Sequence, residues 1–160
     1  MTGTQIFLTI GAITLFGLLV LNVNRTIMGS EEQKLYSEYF IAATSVAQGL
    51  MYEIKDKNFD KNVSGEPDVD VNALTHPNQF GAPQNTPAST FTAVEQYHNY
   101  TRIVETPRAG NFTAFAQVQY VNDNDFQQVL STQSRTKRIT VYVTSPFLVD
   151  TLSLKTYKSY

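Results

Sequence analysis

Hydrophobic and polar positions follow three successive patterns along this chain. From Ile6 to Val23 the run IFLTIGAITLFGLLVLNV holds no Asp, Glu, Lys, Arg or His, and Arg25 is the first charged side chain. Ile6, Phe7, Leu8, Ile10, Ile13, Leu15, Phe16, Leu18, Leu19, Val20 and Leu21 make the run apolar nearly all round. A helix over it would be roughly 27 Å long, close to the thickness of a bilayer hydrocarbon core. Such a helix needs lipid or other helices around it, because one globular face would cover only one side. The second pattern, Gln33 to Lys57, is amphipathic: Leu35, Tyr39, Ala42, Val46, Leu50 and Ile54 recur every three or four residues. Tyr36, Phe40, Ala43, Ala47 and Met51 widen that stripe. Between the two patterns stand Asn22, Asn24 and Gly29, poor helix formers where the helix is expected to loosen. Ser30, followed by Glu31, Glu32 and Gln33, has the pattern of a cap for a resumed helix.

The third pattern is that of strands. Phe112, Ala114, Ala116, Val118 and Tyr120 alternate with Thr113, Gln117 and Gln119, although Phe115 blurs the polar face. Lys137 to Ser145 puts Ile139, Val141 and Val143 on one face and Arg138, Thr140, Tyr142 and Thr144 on the other. Leu152 to Tyr160 reads as a last strand with Leu152 and Leu154 inward. Three strands with short connections predict an antiparallel meander, one face buried and one wet. Ahead of it, Phe91, Val94, Tyr97 and His98 are spaced like one face of a short helix.

The segment from Asn58 to Pro87 carries four of the six prolines, Pro67, Pro77, Pro83 and Pro87, and reads as a long surface connection. Phe59, Leu74 and Phe80 are its candidate anchors. A connection of this length is expected to be functional surface or to be pinned by a partner.

The fold class predicted is α+β: a long N-terminal helix, apolar in its first half and amphipathic in its second, packed on a small antiparallel sheet. Its divisions are an N-terminal helix over 1–57, a surface loop over 58–89 and a β domain over 90–160. Within the helix, 6–23 is the membrane or filament-core segment and 30–57 the amphipathic half. Leu35, Tyr39, Val46, Leu50 and Ile54 are expected to pack on Ile139, Val141 and Val143, the cover that a one-sided sheet needs.

Composition narrows the function. In 160 residues with net charge -2, the 12 Lys and Arg are too dispersed to form a nucleic-acid field. Cysteine is absent, which excludes disulfides and thiol chemistry. His76 and His98 read as loop or surface residues, and without Cys a zinc site would need both plus distant carboxylates. Asp68 and Asp70, and Asp123 to Asp125, read as solvated turns because neither cluster has EF-hand spacing. No nucleotide-binding or nucleophile motif occurs, so neither an enzyme nor a cofactor is expected. Lys155 and Lys158 look like guards on an edge strand. The basic run Arg135 to Arg138 is expected at the surface, where it would meet the acidic stretch Glu31 to Asp70 of a neighbouring copy. The apolar run lacks the basic flank of a signal peptide and is longer than its usual core, so it is expected to stay in the working protein.

An apolar N-terminal helix continuing without proline into an amphipathic half, then a variable loop, then a small antiparallel sheet, resembles the type IV pilins and pseudopilins. The resemblance spans the whole chain in architecture and is slight in motif. It implies that the apolar half-helices bundle in a filament core while loop and sheet face outward. Met1 suits the family's first residue. The Glu that in most members pairs with a neighbour's terminal amine is here Gln5, a neutral acceptor. Where many members loosen the helix, often at a proline, Asn22 and Asn24 stand. The resemblance thus implies a homopolymer on the cell surface, inserted in the membrane before assembly. Independently of any family, burying each large apolar side chain is worth roughly 1.5 to 3 kcal/mol, and both lipid and a bundle of identical helices satisfy that demand. A single-span, membrane-anchored β domain is the alternative.

Overall fold

The computed structural model describes residues 2–63 and 69–160. The register contact expected of Met1, and the residues Pro67 and Asp68, lie outside the described residues. The chain divides into two units, Met1–Glu38 and Tyr39–Tyr160. One helix, α1 (Gly3–Lys55), contributes residues to both.

α1 runs without a break through Asn22, Asn24 and Ser30, so Ser30 caps no resumed helix. Each Asn costs less than about 1 kcal/mol, whereas ending the helix would orphan its last four carbonyls. Past Glu38 one face turns inward, with Ala43, Ala47, Leu50, Met51 and Ile54 buried and Tyr39, Ala42 and Val46 partly so. Leu35 departs from expectation. It is 49% exposed, as are Tyr36 and Phe40 to similar degree, because the stripe extends beyond the part of the helix that packs in the second unit.

Among the described residues the sheet has five strands, β1 (Tyr100–Thr106), β2 (Gly110–Asn122), β3 (Asp125–Val129), β4 (Thr136–Thr144) and β5 (Leu152–Ser159). All pairings are antiparallel, in the order β1-β2-β4-β5, with β3 also on β2. The three expected strands are β2, β4 and β5; β1 and β3 are additions to the meander. Phe112, Ala114, Ala116, Val118, Ile139, Val141 and Val143 are fully buried and face α1 in one core with Phe91, Val94 and Tyr97, while Tyr120 at the far end of β2 is equally buried outside it. Alanines on both surfaces, at 43 and 47 of α1 and at 114 and 116 of β2, allow helix and sheet to lie close. Phe115 lies on the opposite face, opposite its cross-strand partner Tyr142, with ring centroids 6.0 Å apart.

Two ties hold the end of α1. Glu53 accepts hydrogen bonds from the Tyr97 hydroxyl and from Arg102, each at 2.8 Å. From the edge strand β5, Lys158 donates to the carbonyls of Lys55 and Lys57. It therefore caps the helix C-terminus, where orphan carbonyls and the dipole favour a cation. Of the two lysines read as edge guards, Lys155 alone keeps that position, exposed on β5.

Among its described residues the connection after α1 contains three 3-10 turns, Val71–Ala73, Pro77–Gln79 and Ala88–Thr90. Its anchors are those expected: Phe59 and Leu74 are buried and Phe80 is partly so. Phe59, Val63, Val69 and Leu74 form a second apolar cluster against Tyr120. Asn58 bridges Ala93 through hydrogen bonds to Thr92 and Val94, so both ends of the connection are clasped. Gly81, at φ 99, takes a conformation that side chains resist, and its N–H reaches the Glu95 carbonyl.

Truncating Leu50 or Ile54 to Ala is expected to cost about 2–5 kcal/mol. Leu35→Ala should stay within about 0.5 kcal/mol. Urea unfolding of the detergent-solubilised chain, followed by circular dichroism, checks both.

Candidate functional site

Two regions carry chemistry that the fold alone does not require. The first is the N-terminal segment of α1. Every residue sequence reading assigned to a filament core, Ile6, Phe7, Leu8, Ile10, Ile13, Leu15, Phe16, Leu18, Leu19, Val20 and Leu21, is exposed, Phe7 at 78% and Phe16 at 70%. The segment is long and apolar enough to cross a membrane. Within 6–23 the two hydroxyls are turned back on the helix, Thr9 Oγ1 donating to the Gln5 carbonyl at 2.8 Å and Thr14 Oγ1 to that of Ile10 at 2.9 Å. No hydroxyl donor of this segment then needs water, as an apolar surrounding demands. Gly11 and Gly17 have open space where a side chain would be. At Gly11 this leaves a shallow apolar depression flanked by Phe7, Leu8 and Leu15. Gln5 faces its own helix start, its Oε1 accepting the Thr2 N–H at 3.3 Å in the manner of a capping box.

The second region lies inside the second unit and was missed by sequence reading. Lys137, assigned to an exposed basic run, is fully buried. It precedes Ile139 by two residues on β4 and so shares the inward face with Val141 and Val143. All three ammonium protons are used: Nζ donates to the Phe59 carbonyl at 2.7 Å, to Asp60 Oδ2 at 2.8 Å and to Glu95 Oε2 at 2.9 Å. The rings of Phe59, Tyr120 and Phe80 surround it, their centroids 4.4, 5.1 and 5.3 Å from Nζ.

Asp60 and Glu95 are likewise fully buried. Asp60 Oδ1 accepts from the Asn62 N–H at 3.0 Å and from Thr75 Oγ1 at 2.7 Å, and the Thr75 N–H donates to both carboxylate oxygens. The Tyr120 hydroxyl lies 3.2 Å from Oδ2 and 3.0 Å from the Thr75 carbonyl. Glu95 Oε1 accepts the Lys61 N–H at 2.7 Å. Burial by itself would raise the pKa of Asp60. The hydrogen bond and charge of Lys137, with the bonds from Thr75 and Asn62, reverse this and hold the carboxyl below its ordinary value. The Tyr120 hydroxyl is pushed well above the ordinary phenol value, first by burial and then by the Asp60 charge beside it. The long connection is therefore pinned from within, by a cation on the sheet.

The two histidines serve local structure. His76 Nδ1 accepts the Asn78 N–H at the start of its 3-10 turn, and His98 Nδ1 lies 2.7 Å from the Val118 carbonyl. Asp70 and Asp125 accept backbone N–H groups two residues ahead, and Asp123 accepts from Ser134 Oγ. Among the described residues no three His, Cys, Asp or Glu side chains are grouped so as to hold a metal ion. No family model, no curated protein and no solved structure matches the chain.

Replacing Lys137 by Met strands two buried carboxylates and is expected to destabilise the chain by about 3–5 kcal/mol. Adding D60N and E95Q to it should regain part of that loss, since the triple variant buries no charge. Chemical denaturation of the three chains compares them. In the ion-paired chain Asp60 contributes stability at pH values above the unfolded carboxyl value of about 3.9. That contribution is lost as the pH falls through the lower folded value. Stability measured against pH should therefore fall in acid, and D60N should flatten the slope.

Proposed function

We propose that this chain is a structural subunit that polymerises through the apolar segment of α1 into an extracellular filament of the type IV pilus kind. It would be held in the membrane by the same segment before assembly. The observation that carries this reading is the all-round exposure of Ile6 to Val23 on a helix whose hydroxyls are internally satisfied. About a dozen large apolar side chains, each worth roughly 1.5 to 3 kcal/mol when buried, need one cover in storage and another in use. Lipid supplies the first and copies of the helix the second. Leu35, Tyr36, Phe40 and Ile41, exposed further along α1, extend the apolar surface available to neighbours. Gly11 and Gly17 suit close approach of helix backbones. On this reading no cofactor and no nucleic acid takes part, and the second unit presents its connection and outer sheet face to the medium.

Electron microscopy of material sheared from producing cells, with mass spectrometry of the N-terminal peptide, tests the proposal. Thin filaments made of this chain are expected. A chain that stays in the membrane fraction and dissolves in detergent as single particles would favour the anchored β domain instead. Gly11→Leu separates the two readings further. A Cβ at this position meets nothing within 4 Å, so folding and membrane insertion should persist while filament yield falls at least tenfold.

A further inference from the structure

The geometry points to a covalent fate for the buried cluster: the Lys137 amine and the Asp60 carboxyl condense to an amide within the folded chain, with Glu95 relaying protons. The reacting groups already touch, Nζ at 2.8 Å from Asp60 Oδ2 and 2.9 Å from Glu95 Oε2, and all three side chains are sealed from water. The ion-paired arrangement buries three charges, one ammonium and two carboxylates. Moving a proton from Nζ to a carboxylate leaves one buried charge, a neutral acid and a neutral amine whose lone pair is free to attack. Burial makes that exchange less costly than it is in water, where all three charges are solvated. Holding nucleophile and carboxyl in one rigid site supplies the high effective concentration that amide formation otherwise lacks. Exclusion of water also opposes the reverse hydrolysis.

The two carboxylates differ, and the difference assigns their roles. Asp60 Oδ1 is held by Asn62 N–H, Thr75 N–H and Thr75 Oγ1, donors placed to stabilise negative charge as it develops on that oxygen. Glu95 has fewer donors and keeps Oε2 on Nζ. Glu95 Oε2 takes the first proton from Nζ, and the lone pair forms the N–Cγ bond while the carbonyl electron pair moves to Oδ1. Two of the three ammonium protons pass to Oδ2, at least one through Glu95, and Oδ2 departs as water when the carbonyl re-forms. Glu95 ends as it began, a carboxylate. Nothing is oxidised or reduced, and the sum is one ammonium and one carboxylate converted to one amide and one water. The link would join β4 to the start of the long connection, 77 positions apart, in a chain with no cysteine to make a disulfide. It removes the charge on Asp60, so the acid sensitivity described above belongs to the unlinked chain.

Peptide mapping by tandem mass spectrometry of the full-length protein, denatured after folding, tests this. The expected result is a wild-type peptide pair joined through Lys137 and Asp60 and lighter by one water, with trypsin unable to cut after Lys137. The E95Q chain, shown folded by protease resistance, should keep its water and be cut there. Folded wild-type protein with both peptides separate and at full mass overturns the proposal, as does a link mapped to Lys137 and Glu95. A folded E95Q chain that still forms the link overturns the relay role. The wild-type map alone decides the link should E95Q fail to fold.

Discussion

A buried ammonium leaves no latitude in what surrounds it. Lys137 sits on the inward face of β4 with no access to water, so each of its three protons must find an oxygen. The oxygens come from Phe59, Asp60 and Glu95, far from it in sequence. Asp60 in turn fixes Thr75, and Tyr120 of β2 closes over both. One side chain thereby specifies where the chain goes between the end of α1 and the first strand. Two apolar clusters fill in around that choice, the main core under α1 and the smaller one at Phe59, Leu74 and Tyr120.

The two parts of α1 solve opposite problems with one continuous helix. Beyond Tyr39 its inward face is built of Ala43, Ala47, Leu50, Met51 and Ile54, graded from small to large, and the sheet covers it. In the first unit large apolar residues are exposed all round the helix. So extensive an apolar surface calls for an apolar neighbour, and the hydroxyls of Thr9 and Thr14 within it are bonded to carbonyls of their own helix. On the proposed reading, membrane storage and helix-bundle assembly are two states of one physical requirement. In both, the segment exchanges one apolar surrounding for another.

Much of this was legible in the residues. The apolar run announces itself by length, and β2, β4 and β5 by strict alternation. β1 escaped because its half-buried face carries the polar Arg102 and Thr106 while the apolar Ile103 lies on the exposed one, which scrambles the alternation. β3 escaped because all five of its residues are exposed and carry no alternation to detect. Leu35 was misplaced since helical periodicity says which face a residue is on and not how far its cover extends. Lys137 holds the sharpest lesson. Its parity with Ile139 put it inside, while its charge argued for the surface, and the compensating groups stand 77 and 42 positions away. Asp60 and Glu95 do follow or adjoin buried apolar residues, Phe59 and Val94, a local signal that their side chains were headed inward.

What surrounds the apolar segment in the mature state is the central question, and photo-crosslinking answers it directly. A photoreactive residue introduced at Leu15 in producing cells reports the nearest neighbour of the helix on irradiation. In the extracellular fraction the account predicts a ladder of this chain linked to copies of itself. Adducts confined to lipid, with no chain-to-chain product in any fraction, would contradict it.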